Sequence, residues 1–172
     1  MSSVVFAMGA NLGDPYATLC QALDLLDAHD EWRLDAVSSA WATDPVGGPE
    51  GQPSYLNAVG LAQVPFGPAT LLGLFHVVEA ACGRVRLERW GPRTLDLDLI
   101  AFDDLVSDDP WLTLPHPRAH ERAFVVQPWL EVDPAASLAG VGRLDALDAA
   151  RPDPGVRRLE HLLLPTSEGV LP

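Results

Sequence analysis

The sequence predicts an α+β protein, an antiparallel sheet with helices packed on one of its faces. Three observations carry this expectation. Apolar and polar residues alternate in several separate segments, as they do along half-buried strands. Two intervening stretches repeat apolar residues at helical spacing. The order along the chain is strand, helix, strand, strand, helix, strand, which is the ferredoxin-like βαββαβ arrangement.

Each element has a local reason. "VVFAMG" reads as a buried first strand that ends at Gly9. Asp14 followed by Pro15 has the form of an N-cap with proline at the first helical position. Leu19, Leu23 and Leu26 then repeat at helical spacing, which predicts a helix to about Ala28. "LDAVSSAWAT" reads as a second strand and runs into "DPVGGPEGQPS", a Gly/Pro-rich loop with little to pack. "YLNAVGLAQV" alternates again and places Tyr55 and Asn57 on one face. Pro68 starts a second helix whose apolar stripe is Leu71, Phe75, Val78 and Cys82. That stripe leaves His76 and Glu79 together on another side, and Gly83 ends the helix. An Arg-rich segment and a strand bearing two aspartates follow. Beyond residue 110, "LPHPRAHERAFVVQPWLEVDP" suggests a loop, a helical turn and further extended pieces. From Ala135 leucines mix with many prolines, which reads as peripheral packing with short helices. The expectation is a single domain over 1–172, with a core over about 3–134 and a peripheral tail over 135–172.

Composition narrows the function classes. The chain is 48% hydrophobic, yet none of its apolar runs approaches membrane-spanning length. The N-terminus has no basic leader, and Cys20 and Cys82 fall in helix-like patterns as buried free thiols, so a cytoplasmic protein is expected. No cysteine pair has zinc-ligand spacing. A net charge of −13 argues against nucleic acid as a partner. A monomer acting on small molecules is expected.

The positive charge is unevenly spread. There is no lysine, and Arg84, Arg86, Arg89, Arg93, Arg118 and Arg122 crowd one part of an acidic chain. Compositional preference for arginine is one explanation. An anion site is the other, since guanidinium forks match phosphate oxygens. The same part of the chain holds "RWGPRTLDLDLIAF". On a strand, Asp96 and Asp98 point one way while Leu95, Leu97 and Leu99 point into the core. Two like charges so placed repel each other and need an offset. Arginine partners on an exposed strand face would supply one. So would hard divalent cations, since magnesium takes a few carboxylate oxygens together with substrate phosphates and water. Spacing alone leaves both open.

The wider sequence resembles the 6-hydroxymethyl-7,8-dihydropterin pyrophosphokinase family, whose members move a diphosphate from ATP to a pterin alcohol and release AMP. "GANLGD", "YLNAV", "RWGPRTLDLDLI", "LPHPR" and "RAFVVQPW" occur in family order over about residues 5 to 134. The resemblance implies that Asp96 and Asp98 hold two Mg2+ ions bridging the ATP phosphates. It implies that Arg84, Arg86 and Arg93 contact phosphate, with Arg89 and Trp90 in the same loop. Glu79, His76, His116 and Arg122 fall on the nucleotide side, and Thr43, Pro45, Val46, Tyr55, Asn57 and Phe124 at the pterin. These roles suit the residue types: a flat heteroaromatic stacks on rings, and Asn57 offers both an acceptor and a donor to its edge. The loops at 44–53 and 84–94 are expected to close as lids that exclude water.

Some positions depart from the family pattern. Ala10 replaces a usual serine, His76 stands where some members have glutamine, and Trp111 sits near where some supply an arginine. The Arg86 to Arg89 spacing is one residue shorter than in some members. His76 and Glu79 lack a third ligand for a metal site of their own. The rival readings are another magnesium-dependent phosphotransferase on the same scaffold and a ligand-binding regulatory domain without turnover.

Overall fold

The computed structural model describes residues 1–44, 53–83 and 94–163. In chain order, β1 (Ser2–Ala10) leads into α1 (Pro15–Asp27), then β2 (Arg33–Val37), β3 (Ser39–Thr43) and β4 (Tyr55–Val64). Next come α2 (Pro68–Ala81), β5 (Asp96–Phe102), the hairpin of β6 (Ser107–Asp109) and β7 (Leu112–Leu114), and α3 (Ala123–Val132). The chain closes with the short pair β8 (Ser137–Leu138) and β9 (Gly142–Arg143), two 3₁₀ turns, and β10 (Val156–Leu162). Six strands form one antiparallel sheet in the order β10-β3-β4-β1-β5, with β2 also pairing with β4.

The predicted helix starts hold. Asp14 caps α1 by accepting the Ala17 N–H at 3.0 Å, and Pro15 occupies the first turn. Pro68 opens α2, and Gly83 follows it at φ 76°, a conformation that glycine adopts without penalty. The second predicted strand divides at Ser38. Its hydroxyl accepts the Val59 N–H at 3.1 Å while its own N–H donates to the Val59 carbonyl at 2.9 Å, so both halves stay on β4.

Strand alternation gives the sheet two different faces. Val4, Phe6 and Met8 of β1 meet α1 and α2 in one apolar cluster with Leu23, Phe75, Leu97 and Leu99. Phe6 lies at its centre, 5.2 Å from the Trp32 ring and 5.9 Å from Phe75. The register sets Gly60 opposite Phe6, and a Cβ there would lie 2.2 Å from the ring. Val5 and Ala7 point the other way, toward a second cluster built on Val125, Val126 and Trp129 of α3. A register shift in β1–β5 between Val5 and Phe6 gives β5 one extra residue, so Ile100 and Ala101 both join that second cluster.

Two expectations are corrected here. Helices do not all pack on one face: α1 and α2 share one, and α3 covers the other. Residues 123–132, read as extended pieces, form α3. Its Val125, Val126 and Trp129 do repeat at helical spacing, but valines favour strands and Pro128 usually interrupts a helix. Burial of that stripe against the sheet outweighs both preferences. In the tail, the short helical turns are present, and β10 adds an edge strand beside β3 that the prolines concealed.

Candidate active site

The face under α3 changes character along its length. Near the middle it is apolar; toward the end of β1 it becomes polar, because cross-strand partners share a face. Gly9 pairs with Asn57 on one side and with Asp96 on the other. Ala7 likewise pairs with Asp98, and Trp41 and Thr43 of β3 pair with Asn57 and Tyr55. A continuous row of Trp41, Asn57, Gly9 and Asp96 therefore crosses four strands. Two strand spacings, about 10 Å, separate the backbone of Asn57 from that of Asp96. Only Gly9 stands between them.

The amide end of this row is ordered. Asn57 and Thr43 are buried, and the Asn57 Nδ2 donates to the Thr43 Oγ1 at 2.7 Å. A Cβ on Gly9 would stand 3.0 Å from the Asn57 Oδ1, so the missing side chain gives the amide its room. Tyr55, two residues along the same strand face, is half-buried. Asn11 was not anticipated: it is 2% exposed and its Nδ2 donates to the Pro53 carbonyl at 3.4 Å. The signal for it was a polar residue directly after a buried strand.

At the carboxylate end, Asp96 and Asp98 are half-buried on the α3 face while Leu97 and Leu99 enter the opposite cluster. Arg122, at the start of α3, approaches the Asp98 Oδ2 at 3.9 Å, an ion-pair distance too long for a hydrogen bond. Its guanidinium also lies 5.5 Å from the centre of the Phe124 ring. Burial lowers the Arg122 pKa from its ordinary value, with Asp98 acting in the opposite sense.

His116 is fixed by its backbone, which donates to the Ile100 carbonyl at 2.9 Å. Burial and then the Arg122 charge lower its pKa, so the ring is neutral at pH 7. Its Nδ1 accepts the Arg118 N–H at 3.2 Å, which leaves the proton of the neutral ring on Nε2.

A cavity of about 400 Å³ opens beside these groups. His76, Glu79, Asp96, Asp98, Trp111 and His116 all border it. Glu79 and His76 are both at the wall, but they differ in exposure. His76 is exposed, whereas Glu79 is 3% exposed and accepts the Leu97 N–H at 2.9 Å. Glu79 thus belongs with the buried stripe of α2, because the strand N–H between the two aspartates needs an acceptor. Trp111, at the β6–β7 turn, is 91% exposed on the cavity rim.

The donor set can be tested against a divalent cation. Among the described residues, no three His, Cys, Asp or Glu side chains gather as a ready-made metal cage. What the strand presents is two carboxylates above small partners, Gly9 and Ala7, at the wall of a cavity. Hard oxygen donors, few in number and open on one side, fit magnesium, which takes its remaining ligands from phosphate and water.

The sequence matches the model of the 7,8-dihydro-6-hydroxymethylpterin-pyrophosphokinase family over residues 5–134.

The chain belongs to this family.

Relatives named 2-amino-4-hydroxy-6-hydroxymethyldihydropteridine pyrophosphokinase include one from Pseudomonas aeruginosa, 40% identical over 91% of this chain and 96% of its own. Another, from Mycobacterium tuberculosis, is 44% identical over 83% of this chain and 78% of its own. The fold resembles that in a crystal structure of an HPPK-DHPS protein in complex with substrates, with TM-score 0.65 at 8% identity, over 87% of this chain. The match spans 42% of that longer chain. Membership makes the protein an enzyme of the pyrophosphokinase class, with ATP as co-substrate.

The fold brings together Asp96, Asp98, His76, Glu79 and His116 at the cavity, with Arg122 beside Asp98 and Phe124, while Asn57 lies across Gly9 on the same sheet face with Thr43 and Tyr55. Pro45, Val46, Arg84, Arg86, Arg89, Trp90 and Arg93 lie outside the described residues, as does nearly all of both expected lids. Thr94 Oγ1 donates to the Gly83 carbonyl at 3.3 Å, and Thr43 pairs with Tyr55. Cys20 and Cys82 are buried thiols outside any disulfide, as read from the sequence. No described helix is long and apolar enough to cross a membrane.

Proposed function

We infer that the protein transfers diphosphate from ATP to the hydroxymethyl group of 6-hydroxymethyl-7,8-dihydropterin, releasing AMP, in folate biosynthesis. One observation carries the reading beyond family membership. The paired carboxylates and the buried amide stand on a single sheet face, in register across a glycine. An enzyme joining a flat heterocycle to a polyphosphate needs those two kinds of group at about that separation.

The residues divide the work. Asn57, held by Thr43, reads the polar edge of the pterin, and Phe124 supplies a stacking face; Tyr55, Pro45 and Val46 are assigned to the same substrate. Asp96 and Asp98 would hold two magnesium ions, which when bound neutralise phosphate charge and help align the reacting phosphorus. His116 offers its Nε2–H to the nucleotide, and its lowered pKa keeps it a neutral donor at pH 7. His76 and Glu79 complete the nucleotide wall, with Glu79 also holding the aspartate strand. Arg122 stays within reach of both substrates, and Arg84, Arg86, Arg89 and Arg93, with Trp90, contact the nucleotide and its phosphates from their loop.

Transfer is an in-line displacement. The hydroxymethyl oxygen attacks the β-phosphorus and its proton is released. The bond from that phosphorus to the α,β-bridging oxygen breaks, and AMP leaves with that oxygen. Positioning and charge stabilisation supply the rate, with no nucleophilic residue required. The sheet order supports a ferredoxin-like plan from β1 to β5, with β2 and β3 counted as one broken strand, and the enzyme acts as a cytoplasmic monomer without nucleic-acid or membrane partners. Incubation with ATP, magnesium and the pterin, followed by nucleotide separation, tests this. AMP is expected; ADP means an ordinary kinase, and unreacted ATP means a binding protein.

A further inference from the structure

Beyond the Ser38 anchor, the strand that carries Thr43 has only a short ladder to its own sheet neighbour. Three residue pairs join β3 to β4: Trp41 with Asn57, Ala42 with Leu56, and Thr43 with Tyr55. So short a ladder specifies register poorly, and a slip of one residue would turn Trp41 and Thr43 to the wrong face. Asn57 would then lose the Thr43 hydroxyl that orients it.

Another element supplies the missing restraint. Glu131, in the last turn of α3, reaches down to β3 with both oxygens. Its Oε1 accepts the Ser39 N–H at 3.1 Å and the Ser39 hydroxyl at 2.7 Å, and its Oε2 accepts the Trp41 indole N–H at 2.8 Å. Ser39 and Trp41 are two residues apart, so the carboxylate spans one strand repeat and fits one register only. The tail strand closes the same network from outside. Arg158 of β10 lies 3.0 Å from the Glu131 Oε1 and donates twice to the Ser39 Oγ, at 3.1 and 3.2 Å. Val156 pairs with Thr43, and the Asp44 N–H donates to the Gly155 carbonyl at 2.9 Å, where the chain leaves β3. Burial by itself would raise the Glu131 pKa; the Ser39, Trp41 and Arg158 donors outweigh it and hold the group ionised.

We propose that Glu131, locked by Arg158 of the C-terminal strand, is a positioning residue for the pterin pocket, setting the register of β3 and through it the Thr43–Asn57 pair. This assigns the tail a part in substrate recognition without direct contact. It rests on the pyrophosphokinase reading, and nothing in it concerns the nucleotide side, which is built on β5 and α2.

Steady-state kinetics on the full-length wild type, Glu131→Ala, Glu131→Gln and Arg158→Met test it, each substrate varied in turn. Glu131→Ala raises the KM for the pterin about tenfold while the KM for ATP stays within about twofold. Glu131→Gln retains an acceptor for Ser39 but sets an amide against the Trp41 N–H, so it recovers part of the loss. Arg158→Met, which leaves the Glu131 bonds to Ser39 and Trp41 in place, raises the pterin KM by a smaller factor and moves the Trp41 indole N–H resonance. Equal rises in both KM values, or an unchanged pterin KM in a folded Glu131→Ala, overturn the proposal. Should Glu131→Ala not fold, an unmoved pterin KM and Trp41 resonance in Arg158→Met overturn it equally. A wild type that forms no AMP defeats the pyrophosphokinase reading itself, a distinct outcome from a wild type that turns over while the variants keep its KM for the pterin.

Discussion

The two faces of the sheet are built from the same strands but are put to different uses. Under α1 and α2, Phe6, Met8, Leu97 and Leu99 form a buried apolar layer. Under α3 the layer is apolar only as far as Ala7, after which Gly9 and its partners Asn57 and Asp96 take over. The first face holds the molecule together; the second gives up packing, through small residues, to leave room beside two carboxylates. Alternation allows this because each strand residue commits to one face, so a residue of the site costs nothing to the core behind it.

Substitutions on the two faces should therefore separate activity from stability. The largest effect belongs to Asp96→Asn and Asp98→Asn, each expected to lower kcat by about 100-fold or more. Their unfolding midpoints should stay close to the wild type, because relief of a like-charge pair offsets the lost attraction to Arg122. A midpoint that falls along with activity would show that the aspartates serve the fold.

Phe75→Ala makes the opposite change. It empties a fully buried site beside Phe6 and should cost about 3–5 kcal/mol in denaturant unfolding, leaving the pterin and ATP KM values of the folded fraction close to wild type. Gly60→Ala forces a Cβ into the Phe6 ring and should cost about 1–3 kcal/mol by the same measurement.

A glycine on the site face sharpens the contrast. Gly9→Ala places a Cβ 3.0 Å from the Asn57 Oδ1, a contact that a shift of a few tenths of an ångström relieves. Stability should change by under about 1 kcal/mol, while the pterin KM rises roughly threefold as the amide is displaced. Equal KM changes for both substrates would dissolve the division between the two ends of the row.

The smallest effect is a pH dependence. His116 has a lowered pKa in the folded protein, so the unfolded chain binds the proton more readily. Its contribution to stability is complete above about 6.5 and is lost as pH falls through the lower folded value. Glu131 adds a second loss of the same sign, beginning below about 4.5. His116→Asn should flatten the upper part of an unfolding free energy against pH curve and leave the lower part. An unchanged upper slope would mean that the ring is not desolvated as described.

Much of this was legible in the residues. The N-cap at Asp14, the prolines opening both early helices and the alternation through "LDLDL" are local signals, and the structure carries each where the sequence put it. The same alternation placed Tyr55 with Asn57, and Asp96 with Asp98, before any fold was known. Other features were hidden because their causes lie far away in the chain. Pro128 and the valine pair concealed α3, whose reason to be helical is the sheet face waiting beneath it. Glu79 read as lying off the apolar stripe of α2 beside His76, and is buried because the Leu97 N–H faces it. Glu131, a plain acidic residue near a helix end, became a four-donor node only when Ser39, Trp41 and Arg158 converged on it.

Period and local chemistry, then, determined which elements form and which side chains share a face, since both depend on neighbours within a few residues. Tertiary structure alone decided that Gly9 sets Asn57 beside Asp96, that α3 covers the second face and that the tail braces β3. Strand register and buried hydrogen bonds join residues distant in sequence, and no local pattern records which partners they will find.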